Sequence, residues 1–163
     1  MKNILIRFHS FFVKLPIVWF VLINLVLYYI VRLIYYPLSG ILHESYNCES
    51  LIFYSLPLWL QFVLFIPMAY ILTIIHFWLI FKIFRHFKYF INKNFIIILV
   101  SSLLIGISHY GQLTGIIMFF LAGMLLGYSY IVAEEKKLSP VLIVTIILFL
   151  EMVIEYANDY IFY

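Results

Sequence analysis

Charge, cysteine and regular alternation are what this chain of 163 residues has least of. Only 10% of its residues are charged against 67% hydrophobic, and the mean hydropathy is +1.15. A water-soluble globule of this size has too little interior to hide that much apolar surface, so a soluble domain is excluded. The single cysteine, Cys48, excludes an internal disulfide and a cysteine-based metal cage. The apolar runs lack the period-two pattern of a membrane barrel, which leaves helices as the spanning elements. Two further absences bear on function. No Asp or Glu occurs between Ser50 and Ala133, and no His follows His109.

What is present predicts an all-α fold, a polytopic membrane bundle of about five transmembrane helices making one membrane domain over residues 1–163. Each span needs roughly 20 apolar residues to cross a hydrocarbon core of about 30 Å. Residues 1–14 interleave Lys2, Arg7, His9 and Lys14 with Phe8, Phe11 and Phe12, and read as an amphipathic segment on the cytoplasmic face. Leu15 to Tyr36 reads as a retained first span, too long for a signal-peptide core, ending in an aromatic belt. Within that belt Arg32 has Glu44 and Glu49 as candidate partners. Pro37 to Ser50 reads as an outer loop.

The apolar run from Leu51 to Phe84 would be about 50 Å long at about 1.5 Å per residue, too long for one untilted span. The sequence Ser55-Leu56-Pro57 signals a second span starting near Leu56, and Pro67 predicts a kink inside it. Lys82, Arg85, His86, Lys88 and Lys93 then mark a cytoplasmic loop. Asn94 to Ser108 and Leu113 to Val132 are the third and fourth spans, and Ser139-Pro140 caps a fifth from about Val141 to Ala157. Orientation follows as N-terminus inside and C-terminus outside, in a bacterial inner membrane. Although the net charge is +3, the cations lie at span ends, so the expected partner is the lipid bilayer and not nucleic acid.

Titratable groups at membrane depth are costly unless paired, and each is a candidate for function. Glu151, Glu155 and Asp159 are spaced i, i+4, i+8, along one stripe of the last helix. His109 approaches from the same side. A histidine meeting a carboxylate there has the parts for a general base acting on water, so His109, Glu151 and Glu155 are the candidate catalytic residues. The alternative is structural, with Glu151 hydrogen-bonded to Ser101, Ser102 or Ser108 and fixing helix registry. His76 reads as a buried hydrogen-bonding histidine, and Glu134-Glu135-Lys136-Lys137 as a solvated turn. His43-Glu44 and Cys48-Glu49 do not define a metal geometry, and no metal or other cofactor is expected. Gly123 and Gly127 give the small-xxx-small spacing of a close helix crossing.

Taken together, Ser101 to His109, Phe119 to Tyr130 and Leu138-Ser139-Pro140 resemble the CPBP family, the CAAX-protease and bacteriocin-processing membrane proteins also called the Abi family. The resemblance covers about 67–163. It implies an intramembrane endopeptidase fold in which a paired-glutamate motif ending in arginine, a histidine four residues after a phenylalanine, and a later histidine paired with Asn or Asp form the site. His109 matches the middle motif, with Ile105 at the phenylalanine position. After Pro67 the residues are Met68-Ala69-Tyr70-Ile71-Leu72-Thr73, without the glutamate pair, and Thr145 and Phe149 occupy the region of the last motif. Losing a general base costs about 10² to 10⁴ in rate. The expectation is therefore a catalytically degenerate member that binds a membrane peptide or partner helix, in a groove flanked by the second span and the small face of the fourth. Two alternatives stand beside it: an active endopeptidase with a rewired His109, Glu151 and Glu155 site, and an ion- or proton-coupled transport subunit.

Overall fold

A computed structural model describes residues 2–41, 57–90, 93–108 and 113–162, and every regular element among them is helical. Helix α1 (Lys2–Lys14) stops because Pro16 has no N–H to continue it. The last donor, Leu15 N–H, is shared between Phe11 O at 3.1 Å and Phe12 O at 3.3 Å. Helix α2 (Ile17–Ile41) begins directly after the proline, with Phe20 N–H reaching Pro16 O at 3.0 Å. It runs on through Pro37, where the sequence predicts a loop. Near a helix end a proline removes one donor without ending the helix, because the carbonyls of that turn are already losing their partners.

Helix α3 (Leu58–Thr73) follows Pro57, two residues from the predicted start. It passes without a break through a π-helical stretch, Ile74–Leu79, into α4 (Ile80–His86). The departure from α geometry thus lies beyond Pro67, and the side chains there explain it. Thr73 Oγ1 donates to Ala69 O at 2.8 Å and the His76 ring to Leu72 O at 3.2 Å, taking carbonyls that the following amides would otherwise use. Helices α5 (Asn94–Ser108), α6 (Leu113–Glu135) and α7 (Pro140–Phe162) complete the bundle. Three helical stretches are long and apolar enough to cross a membrane: Trp59–His86, Leu113–Glu135 and Pro140–Ala157. Ile17–Leu33, which is part of the 25-residue α2, and Asn94–Ser108 are shorter apolar stretches, so the described residues hold five apolar helical stretches.

Helix α6 is the most buried of the three long spans, and its small residues explain why. A Cβ built on Gly123 would lie 2.9 Å from Ser102 Cα, and one on Gly106 would lie 2.8 Å from Ile116 O. One on Gly127 would lie 3.0 Å from Ile98 Cγ2. Residues falling along α5 meet residues rising along α6, so the pair is antiparallel and backbone touches backbone. The small face of α6 is therefore filled by α5. It does not flank an open groove, as the sequence alone suggested.

A buried cluster that includes Phe20, Phe77, Phe81, Ile97, Val132 and Ile147 gathers toward the basic end of the bundle, where α1 also packs through Phe12. The turn from α6 to α7 closes there. Leu138 N–H bonds Ala133 O and Lys137 N–H bonds Glu134 O, each at 3.0 Å, with Lys137 at φ 58°. This is the Schellman pattern with lysine where glycine is usual. Lys137→Gly is expected to raise stability by about 1 kcal/mol by relieving the left-handed conformation, measured as thermal unfolding in detergent. A loss of stability would show that the lysine side chain itself matters there.

Candidate functional site

The acidic stripe of α7 is the first place to look for chemistry. Glu151 is buried, with 2% of its surface exposed, one helical turn before Glu155. Glu155 is not a free base: its Oε1 lies 3.4 Å from Arg32 Nη1 of α2, with the two side chains 24% and 5% exposed. Helix α2 thus brings a guanidinium to the stripe at the end of the bundle opposite the basic one. Such a pair lowers the cost of holding either charge in a low-dielectric setting. Tyr156, next in sequence, packs edge-on against Phe62 and Phe65 of α3, with ring centroids 5.7 and 5.8 Å away. These contacts fix the face that α7 turns toward α3.

The sequence-predicted partners divide as follows. His109 lies outside the described residues, as do Glu44, Glu49, His43 and Cys48, and of Asp159 only the helical backbone is described. Glu151 and Glu155 share one face of α7, as their spacing predicts. The serines do not serve Glu151 as donors. Ser101 and Ser102 both donate to Ile98 O, at 2.9 and 2.6 Å, and Ser108 donates to Ile105 O at 2.7 Å. A hydroxyl has one proton, and here it returns to the helix's own carbonyls. His76 is half-buried and hydrogen-bonded to Leu72 O, as expected. Among the described residues no three His, Cys, Asp or Glu side chains form a metal-binding group.

No family model, curated protein or solved structure matches this chain. These comparisons give no support to the resemblance to the CPBP family, which stands on its sequence motifs alone.

The geometry shows a cluster the sequence reading missed. Glu134, Glu135 and Lys136 do more than form a solvated turn: Glu134 holds α4, and Glu135 and Lys136 both hold α1. Glu134 takes the Arg85 guanidinium with both oxygens, at 2.6 and 2.7 Å, and Arg85 Nη2 also reaches Asn94 Oδ1 at 3.2 Å. This fork joins α4, α5 and α6, and a bidentate charge-assisted pair is the strong form of such a bond. Glu135 Oε2 meets His9 Nε2 of α1 at 2.8 Å, while His9 Nδ1 meets the Tyr128 hydroxyl at 3.1 Å. Lys136 donates to Val13 O at 2.6 Å and also to Leu15 O. These carbonyls are left over at the α1 terminus, where a cation is favoured by the helix dipole. Withdrawal from water lowers the Lys136 pKa below the ordinary lysine value.

The signal for this latch was in the sequence as scarcity. Between Ser50 and Glu151 the only acids are Glu134 and Glu135, so the basic residues from Lys82 to Lys93 have no other carboxylate in that stretch to find. A second polar tie sits deeper. Ser129 Oγ lies 2.7 Å from Asn24 Oδ1, whose Nδ2 donates to Phe20 O at 2.8 Å, setting the register of α2 against α6.

Proposed function

We propose that the protein is a catalytically degenerate, CPBP-like integral membrane protein that works by binding a membrane peptide or partner helix. The observation that carries this reading is the placement of Arg32 against Glu155. One of the two carboxylates that a rewired peptidase site would use, Glu155, is held by a cation, and α3, where the resemblance would put the glutamate pair, carries no acid at all. With the small face of α6 filled by α5, the partner surface in this reading is an exposed apolar stripe of α3, which includes Trp59, Val63, Ile66 and Tyr70. In this reading the protein sits in a bacterial inner membrane, and the positive-inside rule supports a cytoplasmic basic end, with α1 beside it.

The test is reconstitution in liposomes with a tethered single-span peptide. A photo-crosslinker at Val63 is expected to capture the peptide, and the peptide is expected to stay intact. Cleavage by the unmutated protein, lost in both His109→Ala and Glu151→Gln, would replace this reading with the active endopeptidase. A failure of capture without cleavage would remove the binding role.

A further inference from the structure

A cleft of about 370 Å³ opens at the basic end between α4 and α6, away from the acidic stripe. Its floor is aromatic. Phe81 and Tyr130 stack with ring centroids 4.7 Å apart and an interplanar angle of 29°. One turn further along both helices, Arg85 meets Glu134, so the two helices run parallel and present matched rungs. Because Glu134 is gripped by Arg85 in a two-pronged pair, the only acid on the cleft wall is already neutralised.

The charge left over belongs to Lys82. Its Nζ lies 4.5 Å from the centre of the Trp78 ring, and no carboxylate is paired with it among the described residues. Trp78 and Lys82 are one turn apart on the outer side of the helix, and both are exposed. A tryptophan with a lysine one turn beyond it marks the level where hydrocarbon gives way to headgroups. Below Trp78 the same helix exposes Ile75 and Ile71 to the hydrocarbon. The cleft therefore continues into an apolar stripe that runs down into the bilayer.

The geometry points to this cleft as a binding site for the phosphate headgroup of an anionic phospholipid, with Lys82 as the principal anion contact and the Ile71 and Ile75 stripe receiving an acyl chain. The volume is near the lower end for small-molecule sites, which suits a headgroup and not a whole lipid. Basic pockets between membrane helices are recurrent headgroup sites, because one Lys or Arg at the surface is worth about fivefold in affinity for anionic lipid. A free phosphate shares the chemistry of the charged end but gains nothing from Ile71, Ile75 and Trp78. The bound lipid would cover the Arg85–Glu134 fork from the membrane side.

The experiment uses the full-length protein in a neutral detergent, with thermal unfolding followed as phosphatidylglycerol, phosphatidylcholine or inorganic phosphate is titrated. Phosphatidylglycerol is expected to raise the midpoint and the other two are not. Lys82→Gln is expected to shift the phosphatidylglycerol titration about fivefold to higher concentration, with the lipid-free midpoint unchanged because the side chain is exposed. Lys88→Gln removes the same charge from the same end of the bundle, outside the cleft, and is expected to leave the titration where it was. Equal shifts for Lys82→Gln and Lys88→Gln would reduce the effect to general surface charge and overturn the site. A response to inorganic phosphate equal to that to phosphatidylglycerol would overturn the lipid assignment.

Discussion

Gly123→Leu is expected to separate α5 from α6 and cost at least about 3 kcal/mol of stability, because a methylene added to a well-packed interior already costs about 1–3 kcal/mol. At this position even the first carbon would sit 2.9 Å from Ser102 Cα, and a backbone atom cannot swing aside as a side chain can. Gly127→Ala provides the contrast. Its new methyl group would meet Ile98 Cγ2 at 3.0 Å and Cγ1 at 3.3 Å, side-chain atoms that must give by a few tenths of an ångström where no backbone atom has to move, so the expected loss is about 1–2 kcal/mol. Reversible unfolding in bicelles would measure both. Equal losses would show that the two helices are not in backbone contact at Gly123.

Arg32→Met carries the second large expected effect. Breaking a buried ion pair by removing one partner typically costs about 3–5 kcal/mol, since the survivor stays charged in a poor solvent. Here Glu155 is 24% exposed and can recover part of its solvation, which brings the expectation to about 2 kcal/mol. Arg32→Lys is expected to recover part of the loss, because an ammonium supplies the charge without the planar fork. The loss would be read as a lower unfolding midpoint in the same bicelles. An unchanged midpoint would mean that the guanidinium contributes nothing at that depth.

Much of this architecture is legible from local chemistry. Asn94 and Ser108 bound α5 as expected, and Ser139-Pro140 does start α7, with Leu142 N–H 3.4 Å from the Ser139 hydroxyl. Those boundaries depend on residues adjacent in sequence, which is why pattern reading finds them. Pro37 shows the limit of the same logic, since a proline near a helix end deletes one bond and need not stop the chain. The π-helical turn at Ile74–Leu79 depends on which carbonyls Thr73 and His76 claim, a competition that composition does not reveal.

Long-range pairings were the least legible. Arg32 and Glu155 are brought together only when α2 and α7 are packed, and Glu134 to Lys136 look like any charged turn until α1 and α4 are in place. The acidic spacing on α7 correctly placed Glu151 and Glu155 on one face. It carried no information about which cation would meet them. The one global clue was the shortage of acids, which leaves Glu134 and Glu135 as the only carboxylates between Ser50 and Glu151 for the basic cluster to meet.

The central claim is that Glu155 is the partner of Arg32, tying α7 to α2, and is not free to act as a base. A double-mutant cycle on Arg32→Met and Glu155→Leu, followed by unfolding in bicelles, tests it most directly. The account predicts a coupling of about 2 kcal/mol, with the double variant more stable than Arg32→Met alone because no lone charge remains. Additive losses with no coupling would contradict it, since Glu155 would then be independent of Arg32 and available for other work.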